Sequence, residues 1–170
     1  MHARASTDVE MLVARAPAGH HAELRLWLRL LSCTTLITQA IRQRLRESFG
    51  VTLPQFDLMA QLAREPKGLR LGELSSRLMV TGGNVTGLVT RLETEGWVRR
   101  AAVAGDRRAR VVRLTPRGAR AFARMAAVHE RWITELFGEL PRREVERLTL
   151  ELRALKDSVR RPRLVERGRG

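Results

Sequence analysis

The chain has no tyrosine, a single cysteine, and aromatic residues at only 4% of its 170 positions. Each scarcity excludes something. A lone Cys33 cannot form an internal disulfide and fits a reducing compartment. With no tyrosine, and with three tryptophans in helical or strand-edge core positions, no row of rings is offered for stacking unpaired bases. No run approaches the roughly 18 to 20 consecutive apolar residues that a bilayer span requires. The opening stretch MHARASTDVEMLVARAPAGHH has no sustained apolar core and carries Asp8 and Glu10 where a secretory signal avoids acids. A phosphate loop, a nucleophile motif and paired carboxylates in a pocket-like context are all missing, and the Gly82-Gly83-Asn84 stretch is too short for a nucleotide loop. The expectation is a cytoplasmic protein that is not an enzyme, with no cofactor and no membrane partner.

What the chain has in excess is arginine. Lys+Arg number 32 against 18 Asp+Glu, a net charge of +14, so an anionic partner is implied. The stretch VRRAAVAGDRRARVVRLTPRGAR, residues 98 to 120, holds eight arginines and one acid, Asp106, and so supplies half of that charge. A block of like charge ordinarily repels itself into disorder. Here Val98, Val103, Val111, Val112 and Leu114 interleave with the arginines, so a β-hairpin can pack its apolar residues while its arginines face outward. Such a hairpin is built to touch a polyanion, and DNA is the first candidate.

Around it the sequence reads as helices. Residues 1–21 contain Pro17 and Gly19 and read as a loose arm. Trp27, Leu30, Leu31, Thr34, Ile37, Ile41 and Leu45 follow helical spacing through 22–49. A second set, Leu26, Cys33, Leu36 and Ala40, widens the stripe, so this helix needs cover on more than one side, and a second subunit can provide it. Cys33, among apolar residues, reads as an inert core thiol. Gly50 ends the helix; Pro54 opens a second through 64; Pro66-Lys67-Gly68 breaks the chain, and Leu69-Arg70 is extended. A short helix follows over 71–79, then Thr81 caps another over 82–95 that Gly96 stops. Trp97-Val98 starts a strand, Ala104-Gly105-Asp106 turns it, and 109–115 returns. Pro116 opens a helix to 137, Pro141 a last one to about 159, and 161–170 form a basic tail.

Two short helices joined by a tight turn and followed by a basic hairpin make a winged helix-turn-helix, in which the second helix enters the major groove. The fold class is mainly α with a small β-hairpin, the winged helix-turn-helix lobe spanning 53–115 and a helical dimerisation lobe 22–52 and 116–160. The reading helix offers Thr81, Gly83, Asn84, Thr86, Gly87, Thr90 and Arg91, all small or polar apart from the last. Asn84 and Thr86 would reach base edges and Thr81 a phosphate. Three glycines cost the helix about 1 kcal/mol each against alanine. Two reasons for them stand open: close approach to DNA, or relief of crowding against the preceding helix. In the hairpin, Arg107 and Arg108 beside Asp106 suit the narrow minor groove; Arg110 joins them in the wing. Arg99, Arg100, Arg110 and Arg113 read as phosphate contacts, which position without specifying sequence.

The order LGELSSRLMVTGGNVTGLVTRLETEGWVRR, then GDRRARVVRLTPRG, resembles the MarR (multiple antibiotic resistance regulator) transcription factors over about residues 22–160. Asp106-x-Arg108 and Leu114-Thr115-x-x-Gly118 are the specific part. The resemblance implies a homodimer interlocked through its first and last two helices, bound to a palindromic double-stranded operator as a repressor that a small ligand releases. By position, Arg108 is then the arginine entering the minor groove and Asp106 the acid orienting it. Members commonly bind an aromatic or phenolic effector between their lobes, which implies Trp27, Leu31 and Thr34 with Phe56 and Met59, and Arg29 for a carboxylate. The LRLWLRLL, TLPQFDLMAQL and MVTGGNVTGLV segments look most like regulators of aromatic-acid catabolism, with an aromatic acid or its CoA thioester as effector. Redox-sensing members need a reactive cysteine with tyrosines, and zinc-sensing ones clustered ligands; His2, His20, His21 and His129 are scattered, so no metal is expected. The rival readings are a nucleoid-type protein without sequence preference and an RNA-binding winged helix.

Overall fold

A computed structural model describes residues 22–78, 81–103 and 106–160, without the side chains of 103 and 106–109. In order the elements are α1 (Ala22–Phe49), α2 (Leu53–Ala63), α3 (Leu71–Leu78), α4 (Gly82–Thr94), β1 (Val98–Val103), β2 (Asp106–Leu114), α5 (Pro116–Leu136) and α6 (Arg142–Arg160). The chain forms two compact units, one through Glu130 and one from Arg131. No described helix is long and apolar enough to cross a membrane.

Local chemistry sets the boundaries. Gly50, at φ +66°, ends α1 in the left-handed conformation that a side chain disfavours, and its N–H bonds the Arg46 carbonyl at 3.0 Å. Thr52 starts α2: its N–H and hydroxyl both donate to Gln55 Oε1, at 2.9 and 3.0 Å. These bonds satisfy a side chain that is otherwise buried in the core. Glu73 serves α3 similarly, accepting from the Arg70 N–H at 2.7 Å.

The core of the first unit collects one face from each short helix. Phe56, Leu58, Met59 and Leu62 of α2, Leu74 of α3, and Val85, Val89 and Leu92 of α4 are all buried. The i, i+4, i+7 spacing of the α4 trio leaves its opposite face to solvent. Ile41 and Leu45 from the end of α1, and Ala121 and Met125 from α5, close the same core.

β1 and β2 pair antiparallel, from Val98↔Leu114 to Val103↔Asp106, with a register shift between Ala102 and Val103. β2 therefore begins at Asp106, three residues earlier than the expected return at 109, and Arg107 and Arg108 lie in a strand. Of the expected turn, residues 104 and 105 lie outside the described residues, as do the arm (1–21) and the basic tail (161–170). On its other side β2 meets Leu69: the Leu69 N–H donates to the Val112 carbonyl at 3.0 Å and the Val112 N–H to the Leu69 carbonyl at 2.8 Å. The expected extended piece makes this single isolated bridge rather than a strand.

Cys33 corrects an expectation. It is exposed rather than core, together with Leu24, Leu26, Trp27, Leu31 and Leu36 on the same helix. Only the C-terminal part of α1 reaches the core, so the apolar stripe toward its start has no cover among the described residues.

Candidate nucleic-acid interface

Thr81 stands at the N-cap of α4 in extended conformation (φ −67°, ψ 151°), but its hydroxyl makes no capping bond. The first turn has no acid, so its open N–H groups and the helix dipole favour an anion there. A Cβ added at Gly82, Gly83 or Gly87 would meet nothing within 4 Å. Crowding among the described residues therefore does not account for these glycines. What they leave is a flat, open helix face.

The polar residues on that face differ in how far they are committed. Asn84 is exposed, with its amide unengaged among the described residues. The Thr86 hydroxyl turns back to the Gly82 carbonyl at 3.1 Å, leaving its methyl and an acceptor lone pair outward. Arg91 pairs with Glu95 at 3.5 Å, while Thr90 accepts from Arg100 Nη2 at 3.4 Å.

The arginines of the hairpin are likewise unequal. Arg99 and Arg110 are exposed and carry no ion pair among the described residues. Arg100 is committed: its guanidinium pairs with Glu93 of α4, whose other oxygen accepts the Arg100 backbone N–H at 2.9 Å. Arg113 lies across Gly68, where an added Cβ would come within 2.6 Å of its Cγ, and its Nε is buried without a hydrogen-bond partner. The Asp106, Arg107 and Arg108 side chains lie outside the described residues, although their backbone belongs to β2.

The hairpin is fastened at its base by the Leu114-Thr115-x-x-Gly118 motif. Thr115 caps α5: its Oγ1 accepts the Gly118 N–H at 2.9 Å and donates to the Gly96 carbonyl at 2.7 Å. The Thr115 N–H reaches the Trp97 carbonyl at 2.9 Å. Gly118 is buried directly against Trp97, which explains a glycine inside a helix.

A second feature lies behind the reading helix. A cleft of about 450 Å³ is lined by α2, α3 and α5, with Phe56, Phe122 and His129 as an aromatic wall and Arg64 and Arg77 at its polar side. The Phe56 ring lies 5.4 Å from Phe122 and 4.8 Å from His129, centre to centre. Arg77 is held by Glu65 at 3.1 Å. Of the effector residues expected from the sequence, only Phe56 lines this cleft. Met59 is fully buried in the core, and Trp27, Leu31, Thr34 and Arg29 stand exposed on α1, Thr34 bonding the Leu30 carbonyl at 2.7 Å. The start of α1 does not wall this cleft; α5 does. Asp57, Phe122, His129, Arg64 and Arg77 were missed, and only the helical spacing of Phe122, Met125 and His129 hinted at their shared face.

Burial raises the Asp57 carboxyl above its usual range, opposed by the charges of His129 and Arg42. Burial lowers His129 below 6.5, opposed by Asp57. A depressed histidine means the unfolded chain binds more protons just below pH 6.5, so stability falls as pH drops through that window. Asp57 acts oppositely above pH 3.8, where the folded chain holds the extra proton and stability declines as pH rises. Urea midpoints of His129→Gln should accordingly be flatter than those of the parent between about pH 7 and 5.5; equal slopes would remove His129 from the account.

Residues 49–109 match the model of the MarR family. A MarR family transcriptional regulator from Silicibacter pomeroyi is 35% identical, with a TM-score of 0.69 over 81% of this chain and 94% of its own. The chain belongs to the MarR family. It is thus a DNA-binding transcriptional regulator and not an enzyme. Sco3205, a MarR family regulator from Streptomyces coelicolor solved in complex with DNA, is 25% identical with a TM-score of 0.70, covering 82% of this chain and 89% of its own. The transcriptional activatory protein BadR of Rhodopseudomonas palustris is 29% identical over 81% of this chain and 79% of its own. The residues matched by the family model include α4, β1 and the first residues of β2.

Proposed function

We propose that the protein binds a palindromic operator as a homodimer and represses transcription until a small anionic aromatic ligand releases it. The observation that carries the DNA reading is the open face of α4, where an added Cβ at any of three glycines meets nothing within 4 Å among the described residues. Asn84 and Thr86 take base edges, Thr81 and Arg99 take phosphates, and Arg107 and Arg108 reach the flanking minor groove with Arg110 beside them.

Uncovered apolar surface supports the homodimer. On α1, Leu24, Leu26, Trp27, Leu31 and Leu36 are exposed; on α6, Leu148, Leu150, Leu152 and Val159 are. Apolar surface on that scale marks an interaction face, and the helices 22–52 and 116–160 form the dimerisation lobe. The cleft supports the ligand: aromatic walls take a ring, and Arg64 takes a carboxylate or a thioester's phosphates. Stabilisation of the folded state by aromatic acids or their CoA thioesters, and release of DNA by the same compound, tests that part.

A footprint tests the whole reading. Two half-sites about 34 to 36 Å apart, one helical turn, are expected; a single asymmetric site would overturn the palindrome. Asn84→Ala should relax discrimination at one base position by about 1 to 3 kcal/mol while leaving random-sequence DNA binding unchanged. Equal loss on both would make Asn84 a backbone contact. Activation is the second reading, favoured by the similarity to the transcriptional activatory protein BadR. Transcription from the bound promoter in a purified system separates the two by sign.

A further inference from the structure

We propose that Glu93 is a positioning residue: it locks the hairpin to the reading helix and withholds Arg100 from the phosphate backbone, so that operator discrimination rather than raw affinity depends on it. This rests on the reading of α4 and the hairpin as one DNA-binding surface.

The argument begins with where Glu93 sits. It occupies the last two turns of α4, a helix whose outer face is otherwise free of acid until Glu95. On a surface built to meet a polyanion, an acid repels the ligand and calls for a reason. Glu93 has two partners in β1: one oxygen accepts the Arg100 backbone N–H at 2.9 Å, and the other pairs with the Arg100 guanidinium. The first bond holds the strand's backbone, the second its side chain, and Arg100 Nη2 continues to Thr90 Oγ1 at 3.4 Å. Side chains one turn apart on α4 therefore clamp one residue of the hairpin.

The clamp has two consequences. Discrimination requires the helix and the hairpin to keep the spacing of the two grooves, and two contacts between rigid elements fix that spacing. Arg100, neutralised by Glu93, also contributes little to the sequence-independent phosphate term that Arg99 and Arg110 supply. A protein facing a genome of competing sites gains from that restraint, because specificity is a ratio of affinities.

Opposite signs follow for the two kinds of DNA. Glu93→Gln frees Arg100 and loosens the hairpin. Affinity for the operator should fall about tenfold while affinity for random DNA rises, and the salt dependence on random DNA should steepen by about one unit of log–log slope per protomer. Arg99→Gln should reduce that slope, whereas the double variant Glu93→Gln/Arg100→Gln should leave it unchanged because the pair it removes is already neutral. The measurement is a salt series of fluorescence anisotropy on operator and random duplexes, using full-length protein whose urea midpoint is recorded alongside. Parallel weakening of both DNAs by Glu93→Gln would make Glu93 merely structural, and a reduced slope in the double variant would restore Arg100 as a phosphate contact; either overturns the inference. A parent protein without preference for any operator would overturn the proposed function instead.

Discussion

Gly118→Ala should lower stability by about 4 kcal/mol, at the upper end of what a single added methyl does. The added Cβ would sit 1.9 Å from the Trp97 carbonyl oxygen and 2.7 Å from its carbon. Both are backbone atoms, so no rotamer change relieves the contact. Either α5 lifts from β1, breaking the Thr115 bonds to Gly96 and Gly118, or β1 shifts and drags Val98 out of the core. Urea unfolding followed by far-UV circular dichroism checks the value. A loss below about 1 kcal/mol would mean that the start of α5 moves at little cost, contrary to the rigidity expected of close-packed interiors. Gly72→Ala is the matched control, since an added Cβ there meets nothing within 4 Å.

Gly87→Leu should do the reverse: leave the fold intact and abolish operator binding. The position is exposed and open, and leucine is the better helix former by up to about 1 kcal/mol, so the melting temperature should hold or rise. A leucine side chain on the face that meets DNA holds the helix off the groove, and a loss of at least about 3 kcal/mol, more than a hundredfold, is expected. Fluorescence anisotropy on the footprinted operator gives the number. Retained affinity would show that this part of α4 does not approach DNA.

Much of this was legible in the sequence because it is local. Gly50, Pro54 and Gly96 punctuate helices through their own backbone requirements, and each does so in the structure; Thr81 stands at the N-cap of α4, though its hydroxyl makes no capping bond. The Leu114-Thr115-x-x-Gly118 motif was visible as a pattern, although its reason, a glycine pressed against Trp97, needed coordinates. What depends on distant residues was not legible. Periodicity marks Cys33 and Trp27 as lying on a wide apolar stripe, but it does not say what covers that stripe, and among the described residues nothing does. The cleft joins Phe56 to His129, far apart in sequence, and no spacing rule reports such a meeting. Arginine density suggested a uniform set of phosphate contacts, yet Glu93 engages Arg100 and Gly68 lies beneath Arg113. Counting charge cannot distinguish a free guanidinium from a committed one.

The bridge between Leu69 and Val112 gives the hairpin the mechanics of a cantilever. From Val111 inward, β2 is paired with β1 on one side and anchored through Val112 to Leu69 on the other; outward from Arg110, among the described residues, its backbone pairs with β1 alone. The register shift between Ala102 and Val103 falls in that outer span and weakens its ladder there. Bending of the backbone therefore concentrates beyond Arg110, while the Glu93 clamp keeps Arg100 at a fixed distance from α4; on the proposed DNA reading, that outer span would adapt to groove width from one site to the next.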